Sequence, residues 1–422
     1  MYTDQKQKPT DVVQEKWWSV TRRAIGPAAI ISASFVGPGT ITTASVAGIS
    51  YQYALLWTLP VAGIMSFLFM DQTARIGIIA KKTLQEALYE ITKDKIWRWP
   101  VAILVIAAIG IGNCAFVIGN VTGAALGIQG VVGGPTQLWT VMTGVISIGF
   151  LLAGSYKLLE RVLTGFVVIM SVVFLITAIA IRPDLGALFQ GALFPVVPPE
   201  SFPLVIGLVG TTISSYQFFL HSSAAKEHWN TEADLKLARI DYFFSISLGI
   251  LISMAIVVTA SAMYGTDLTI SYGARELAEQ LKPTLGSYAP ILFSIGLFAA
   301  SISSAIPTAM ATGWVFTGIL GLNTRLTSLP CRVTMVAFIF VATYFATIGE
   351  RPLSMILFAQ MTNGLLLPIA AISVLFVANK QDLLGSYVNK LWLNLASGAL
   401  VLLTLYLGFR SFSDVFGTIF GS

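Results

Sequence analysis

The stretch SFVGPGTITTASVAG, residues 34–48, interrupts an apolar run with two glycines and a proline in three positions, then adds four hydroxyl side chains and no charge. Pro38 removes a backbone donor and collides with the preceding turn of a helix. Gly37 and Gly39 admit dihedrals that other residues avoid. If the surrounding chain is membrane, the carbonyls and amides freed by such a break cannot face lipid and must line protein or a water-filled cavity. The stretch reads as an interruption over Val36 to Thr40 whose exposed backbone a polar ligand can use.

The composition places that break in a membrane. Of 422 residues, 55% are hydrophobic and 11% charged, with a mean hydropathy of +0.80. A soluble domain carries about 25% charge. Apolar runs recur near the roughly 20 residues that cross a bilayer as helix, without the alternation of barrel strands. Eleven spans are expected, at about 24–49, 52–79, 99–123, 137–154, 158–181, 202–226, 238–262, 287–318, 331–349, 352–377 and 390–410. The leading segment MYTDQKQKPTDVVQEKWWSVTRR is polar and runs directly into the first span, unlike a cleavable signal.

Assigning alternate connections to alternate sides puts 20 of the 25 Lys and Arg at one face, leaving Arg182, Arg275, Lys282, Arg351 and Arg410 at the other. By the positive-inside rule the N-terminus is cytoplasmic, and an odd span count leaves the C-terminus outside. Topology thus accounts for the net charge of +5 without a nucleic-acid partner. Trp17, Trp18, Trp57, Trp97, Trp99, Trp229 and Trp392 fall near span ends, where an amphipathic ring suits the interface. Cys114 and Cys331 sit in apolar context without metal-type spacing and read as small buried hydrophobes.

Ten of the spans divide into two sets of five, and the first member of the second set is also flawed. GLVGTTISSYQFFLHSS, residues 207–223, gathers a polar patch around Ser214, Ser215, Tyr216 and Gln217. Paired interruptions at corresponding positions point to an inverted-repeat transporter with its site at the midplane. Glycine and serine also serve plain helix packing, which is the competing explanation.

In order along the chain, GPGTITTASVAG (37–48), ARIGI (74–78), YKLLERV (156–162), LHS (220–222), GLFAASISSAIPTAMATG (296–313) and AQMTNGLLLPIA (359–370) resemble the NRAMP family of divalent-metal transporters. The resemblance implies an all-α integral membrane protein with a LeuT-like fold of the amino-acid-transporter superfamily: a 5+5 inverted repeat plus an eleventh helix. It divides the chain into a cytoplasmic tail at 1–19, a first repeat at 20–182, a second at 183–378, and a peripheral span with the C-terminus at 379–422. It also implies alternating access, a multi-pass location in the plasma (inner) membrane, and no enzymatic activity.

The family's cargo residues are not carried over. Its first break usually reads D-P-G-N, with Asp and Asn as metal ligands; Gly37 and Thr40 stand at those places. Its second usually reads M-P-H; Ser214, Ser215 and Tyr216 stand there. The D-x-x-E of its third span, the natural proton relay, is matched by Val117 and Asn120. A dication without a carboxylate is costly in a low dielectric.

The expected substrate lining is Ser34, Gly37, Thr40, Thr43, Asn120, Ser214, Ser215, Tyr216, Gln217 and Gln360, with Asn363 and Thr362 either extending it or joining helices. Replacing Asp by Gly37 and Met by Ser214 is expected to enlarge the cavity, and two helix N-termini there favour a carboxylate. The cargo is therefore expected to be a small organic acid or zwitterion, with an aromatic or apolar body allowed. One alternative is a hard divalent cation such as magnesium, held through Thr40 and Gln360; another is a sensor or scaffold without turnover. His221, Asp71 and Glu160 are the candidates for coupling or gating, against packing for the histidine and ion pairing for the carboxylates. No cofactor is expected; the partners are a small-molecule substrate, the lipid bilayer and a coupling ion of unknown identity, with a monomeric state.

Overall fold

The computed structural model describes residues 36–153, 156–265, 273–349 and 351–420, with side chains throughout except at 156–163 and 411–420. Its helices are α1 (Pro38–Tyr51), α2 (Thr58–Ile78), α3 (Leu84–Thr92), α4 (Arg98–Val132), α5 (Thr136–Ala153), α6 (Tyr156–Ala180) and α7 (Leu185–Leu193). They continue as α8 (Phe202–Thr212), α9 (Ser215–His228), α10 (Asp234–Ser261), α11 (Ala289–Leu320), α12 (Leu329–Ile348), α13 (Pro352–Ala378) and α14 (Leu391–Phe420). Short helical turns fill 274–288 and 381–387.

Eight helical stretches are long and apolar enough to cross a membrane. The other expected spans are α1, α2 and α6, so all eleven have a helical counterpart, α8 and α9 together forming the sixth. Two connecting helices were not expected. Thr83 starts α3 with a capping box to Glu86, and Asp184 caps α7 through the Gly186 and Ala187 amides.

Many contacts between helices come in exchange-related pairs. Swapping each of the first five spans with the span five later turns the α1–α10 contact into α9–α2, α4–α13 into α11–α6, and α4–α5 into α11–α12. The α4–α11, α5–α12 and α2–α10 contacts map onto themselves. That is the packing signature of two related five-helix sets, with α14 laid against α13 and α8 outside the scheme.

Some boundaries differ from expectation. α4 runs to Val132, well beyond the expected end, and stops where Gly133 takes a positive φ of 79°. The second span starts at Thr58, since 52–57 form turns after Gln52 at φ 52°. Trp57 and Trp229 are buried instead of facing the interface; Trp57 donates its indole N–H to the Val196 carbonyl at 3.0 Å. Trp97, Trp99 and Trp392 are exposed as expected, while Trp17 and Trp18 lie outside the described residues. Cys331 is buried and Cys114 partly so, both as free thiols.

Candidate functional site

α1 begins at Pro38, directly after an extended Gly37 with φ −83° and ψ 175°. The interruption therefore ends earlier than the sequence suggested, and Thr40 belongs to the first helical turn. Pro38 occupies the first position, where a missing N–H costs nothing because that donor has no intrahelical partner. The second break is short. α8 stops at Thr212, Ile213 and Ser214 are extended, and α9 starts at Ser215.

Asn363 of α13 holds that break open. Its Nδ2 donates to the Gly210 carbonyl at 2.5 Å, and its Oδ1 accepts from both the amide and the hydroxyl of Ser215 at 3.3 Å. One side chain thus serves a carbonyl of α8 and an amide of α9. Gln217 folds back over the break, its Oε1 accepting from the Ser214 amide at 3.1 Å. These bonds correct the expectation of free amides awaiting a carboxylate: two N–H groups at the start of α9 are already satisfied, and α1 opens with a residue that has none.

The two breaks meet. Thr40 and Thr211 share a hydrogen bond between hydroxyls at 2.8 Å, joining α1 to α8. Between them lies Gln360 of α13, fully buried, its carboxamide stacked on the backbone of Gly39. A Cβ at Gly39 would sit 2.7 Å from Gln360 Oε1 and closer still to its Cδ, so only glycine admits this approach. Gly210 lies as close to the α13 backbone, with a Cβ there falling 2.6 Å from the Gly364 amide. Gln360 thus fills the space over Gly39, two residues after Gly37 of the first break.

Both polar atoms of Gln360 and both of Asn120 lack a hydrogen-bond partner, as do Thr43 Oγ1, Ser214 Oγ and Gln217 Nε2. All five side chains are buried. Proteins seldom leave two whole carboxamides unsatisfied, because each orphaned group costs about 1–3 kcal/mol. Tyr216 is also buried and packs its ring on Phe116 of α4 at 5.5 Å. None of these groups ionises near neutral pH, and no cluster of three or more His, Cys, Asp or Glu suited to a metal occurs among the described residues.

The coupling candidates lie elsewhere. His221 is buried against α2, its Nδ1 2.8 Å from Thr73 Oγ1 and its ring edge-on to Tyr242 at 5.8 Å. Asp71 is an ion-pair hub: Oδ2 lies 3.0 Å from Arg75 Nε, while Oδ1 accepts from Arg239 Nε at 2.8 Å and Tyr242 OH at 2.9 Å. Ser34 and the side chain of Glu160 fall outside the described residues. Thr362 turns outward and bonds the Phe358 carbonyl, so it does not extend the site. The residue underrated from sequence was Thr211; its signal was a hydroxyl in the last turn of α8, two residues before the second break.

A family model described as "Nramp: Natural resistance-associated macrophage protein-like" matches residues 28–413. A divalent metal cation transporter MntH from Deinococcus radiodurans is 27% identical over 383 residues, covering 87% of this chain and 84% of that protein. A manganese transporter from Eremococcus coleocola has a similar structure, with TM-score 0.77 and 19% identity over 99% of this chain and 90% of the other. Mhp1, a nucleobase-cation-symport-1 family transporter in a closed conformation, shares the architecture more distantly, with TM-score 0.54 and 14% identity over 94% and 93% of the two chains.

Proposed function

The chain belongs to the Nramp family of membrane transporters, and from that premise we propose that it moves a hard divalent cation, such as magnesium, with part of the ion's water shell retained. The cation crosses by alternating access between the two breaks. The observation that carries this reading is the set of buried, uncharged oxygens at the two breaks and on the helices packed against them: Gln360 Oε1, Asn120 Oδ1, Thr43 Oγ1 and Ser214 Oγ have no protein partner. The carbonyl end of α8, the negative end of its dipole, opens onto the second break.

Hard cations prefer oxygen donors, and one that keeps several waters needs few from the protein. Those waters present hydrogens outward, which neutral side-chain oxygens accept. Dehydrated manganese lacks its usual soft and anionic ligands here, so magnesium is favoured over it. The names of the relatives, divalent metal cation transporters, support the cargo class.

Within this proposal the lining is the set read from the sequence, including Ser34, with Thr211 added. His221 and Thr73 join α9 to α2, where a change in helix packing would be felt at the site; that contact is the proposed place of gating, with Asp71 beneath it. Glu160 retains its proposed inner-gate role. The N-terminus is placed in the cytoplasm of a cell whose plasma membrane holds the protein.

A second reading, transport of a small organic acid or zwitterion, is favoured by one observation: Asn120, Gln217 and Gln360 also carry unpartnered amide N–H groups, which suit an organic acceptor. Flux into sealed proteoliposomes separates the readings. Saturable magnesium uptake exceeding manganese uptake, and lost in Gln360→Leu, is expected. Uptake of an organic acid or zwitterion with no divalent flux sinks the first reading in favour of the second. No flux of either leaves a sensor or scaffold.

A further inference from the structure

A second polar pocket, of about 370 Å³, opens between α2, α10 and the turn that precedes α14. Its floor is the Asp71 hub and its wall is cationic. Arg75 is buried and committed inward, donating to the Tyr387 carbonyl at 2.6 Å and to Asn389 Oδ1 at 2.7 Å. Arg239 spends its Nε on Asp71, yet its side chain remains 50% exposed. Lys390 is exposed and forms no ion pair among the described residues. Three cations therefore face one carboxylate in the lining; outside it, Glu232 accepts from Tyr387 OH at 3.1 Å, and Asp241 is buried on α10 two residues beyond Arg239.

Apart from Ser386 and Tyr387, the rest of the lining is apolar. Phe67 and Trp392 both line the pocket, and Trp392 is among the exposed large hydrophobic residues at the start of the last span. A site with surplus positive charge at one end and an aromatic wall at the other matches a molecule that joins a phosphate to hydrocarbon. All its elements lie at the face that the Lys and Arg bias assigns to the cytoplasm, where anionic lipids bind basic pockets between membrane helices.

We propose that this pocket holds the phosphate of an anionic phospholipid headgroup, contacted by the free guanidinium nitrogens of Arg239 and by Lys390, with acyl chains passing Phe67 and Trp392. Guanidinium and ammonium groups are suited to this contact, the first through its planar fork and the second as a point charge. The bound lipid ties α2 to α10 and to the turn before α14. Because α2 also packs on α9, the tie reaches the helix that carries the second break.

Thermal unfolding of the full chain in a mild detergent, with added phosphatidylglycerol, phosphatidylcholine or inorganic phosphate, tests this. Phosphatidylglycerol is expected to raise Tm by about 3 °C or more, and phosphatidylcholine to leave it unchanged. Lys390→Gln, which breaks no ion pair and so leaves the unliganded Tm in place, is expected to remove at least half the shift; Arg239→Gln should do the same. An equal shift with phosphatidylcholine, or a full shift in Lys390→Gln, overturns the proposal. A shift produced by inorganic phosphate alone and lost in Lys390→Gln upholds the phosphate contact but overturns its assignment to lipid.

Discussion

The polar side chains around Gln360 are buried inside helical packing, whereas the cluster around Asp71 lies partly exposed at the floor of a pocket, and their accounts of hydrogen bonds are opposite. Around Asp71 each carboxylate oxygen has a cationic partner, and Arg75 adds two further acceptors. Around Gln360 and Asn120 there is no charge, and four amide atoms have no partner at all. A low dielectric tolerates charges only when paired, so the first cluster is a staple. Neutral groups left unpaired inside the same protein are the ones through which the proposed cargo would be held. The contrast separates what holds the helices from what works between them.

Breaking the staple should have the largest effect on folding. Arg75→Met leaves Asp71 with one guanidinium and strands the Tyr387 carbonyl, and a loss of about 3 kcal/mol is expected, read as a lower Tm and reduced monodisperse yield. A Tm within a degree of wild type would erase the distinction between the clusters. Gly210→Ala comes next. The added methyl meets the α13 backbone at Gln360 and Gly364, and overpacking of this kind costs about 2 kcal/mol. A crystal structure of the variant should show α8 displaced from α13.

Gln360→Leu sharpens the comparison from the other side. Removing an unsatisfied carboxamide in favour of a similar apolar shape is near neutral for stability, so Tm should hold while cation flux falls by about tenfold or more, equivalent to about 1.4 kcal/mol. A drop in Tm with flux intact would make Gln360 a packing residue. The smallest effect belongs to Glu86, which bonds Lys226 at 2.7 Å and so fastens α3 to α9. Burial raises its carboxyl pKa, but the bonds from Lys226 and the Thr83 amide outweigh this and hold it below the ordinary value. Its contribution is therefore present above the usual carboxylate range and lost as pH falls through the lowered value. The Tm difference between wild type and Glu86→Gln should shrink from about pH 6 toward about pH 3, and a constant difference would remove Glu86 from the acid response.

Much of the fold was legible because lipid enforces a coarse grammar. Span length and the paired Gly-rich and Ser-rich flaws at Gly37 and Ser214 each follow from local composition, and the helices bear them out. Residues close in sequence to a flaw stay beside it in the structure: Thr40, Ser214, Ser215 and Gln217 all lie at the two breaks. Trp57 and Trp229 misled, since an indole near a span end has the same local signature whether it faces lipid or packs under a connecting helix. The long reach of α4 was also missed, because an apolar helix has no local reason to stop at the edge of the membrane.

The sequence by itself determined that this chain crosses the membrane repeatedly, that two of its helices break, and that the breaks lack the family's carboxylate and thioether. Those are properties of residue type and spacing. Only the tertiary structure decided what fills and closes the breaks, because Gln360 stacks on Gly39, and Asn363 links Gly210 to Ser215, across more than a hundred residues of chain. Such contacts depend on how closely α13 approaches α1 and α8, and the packing of the whole bundle sets that distance.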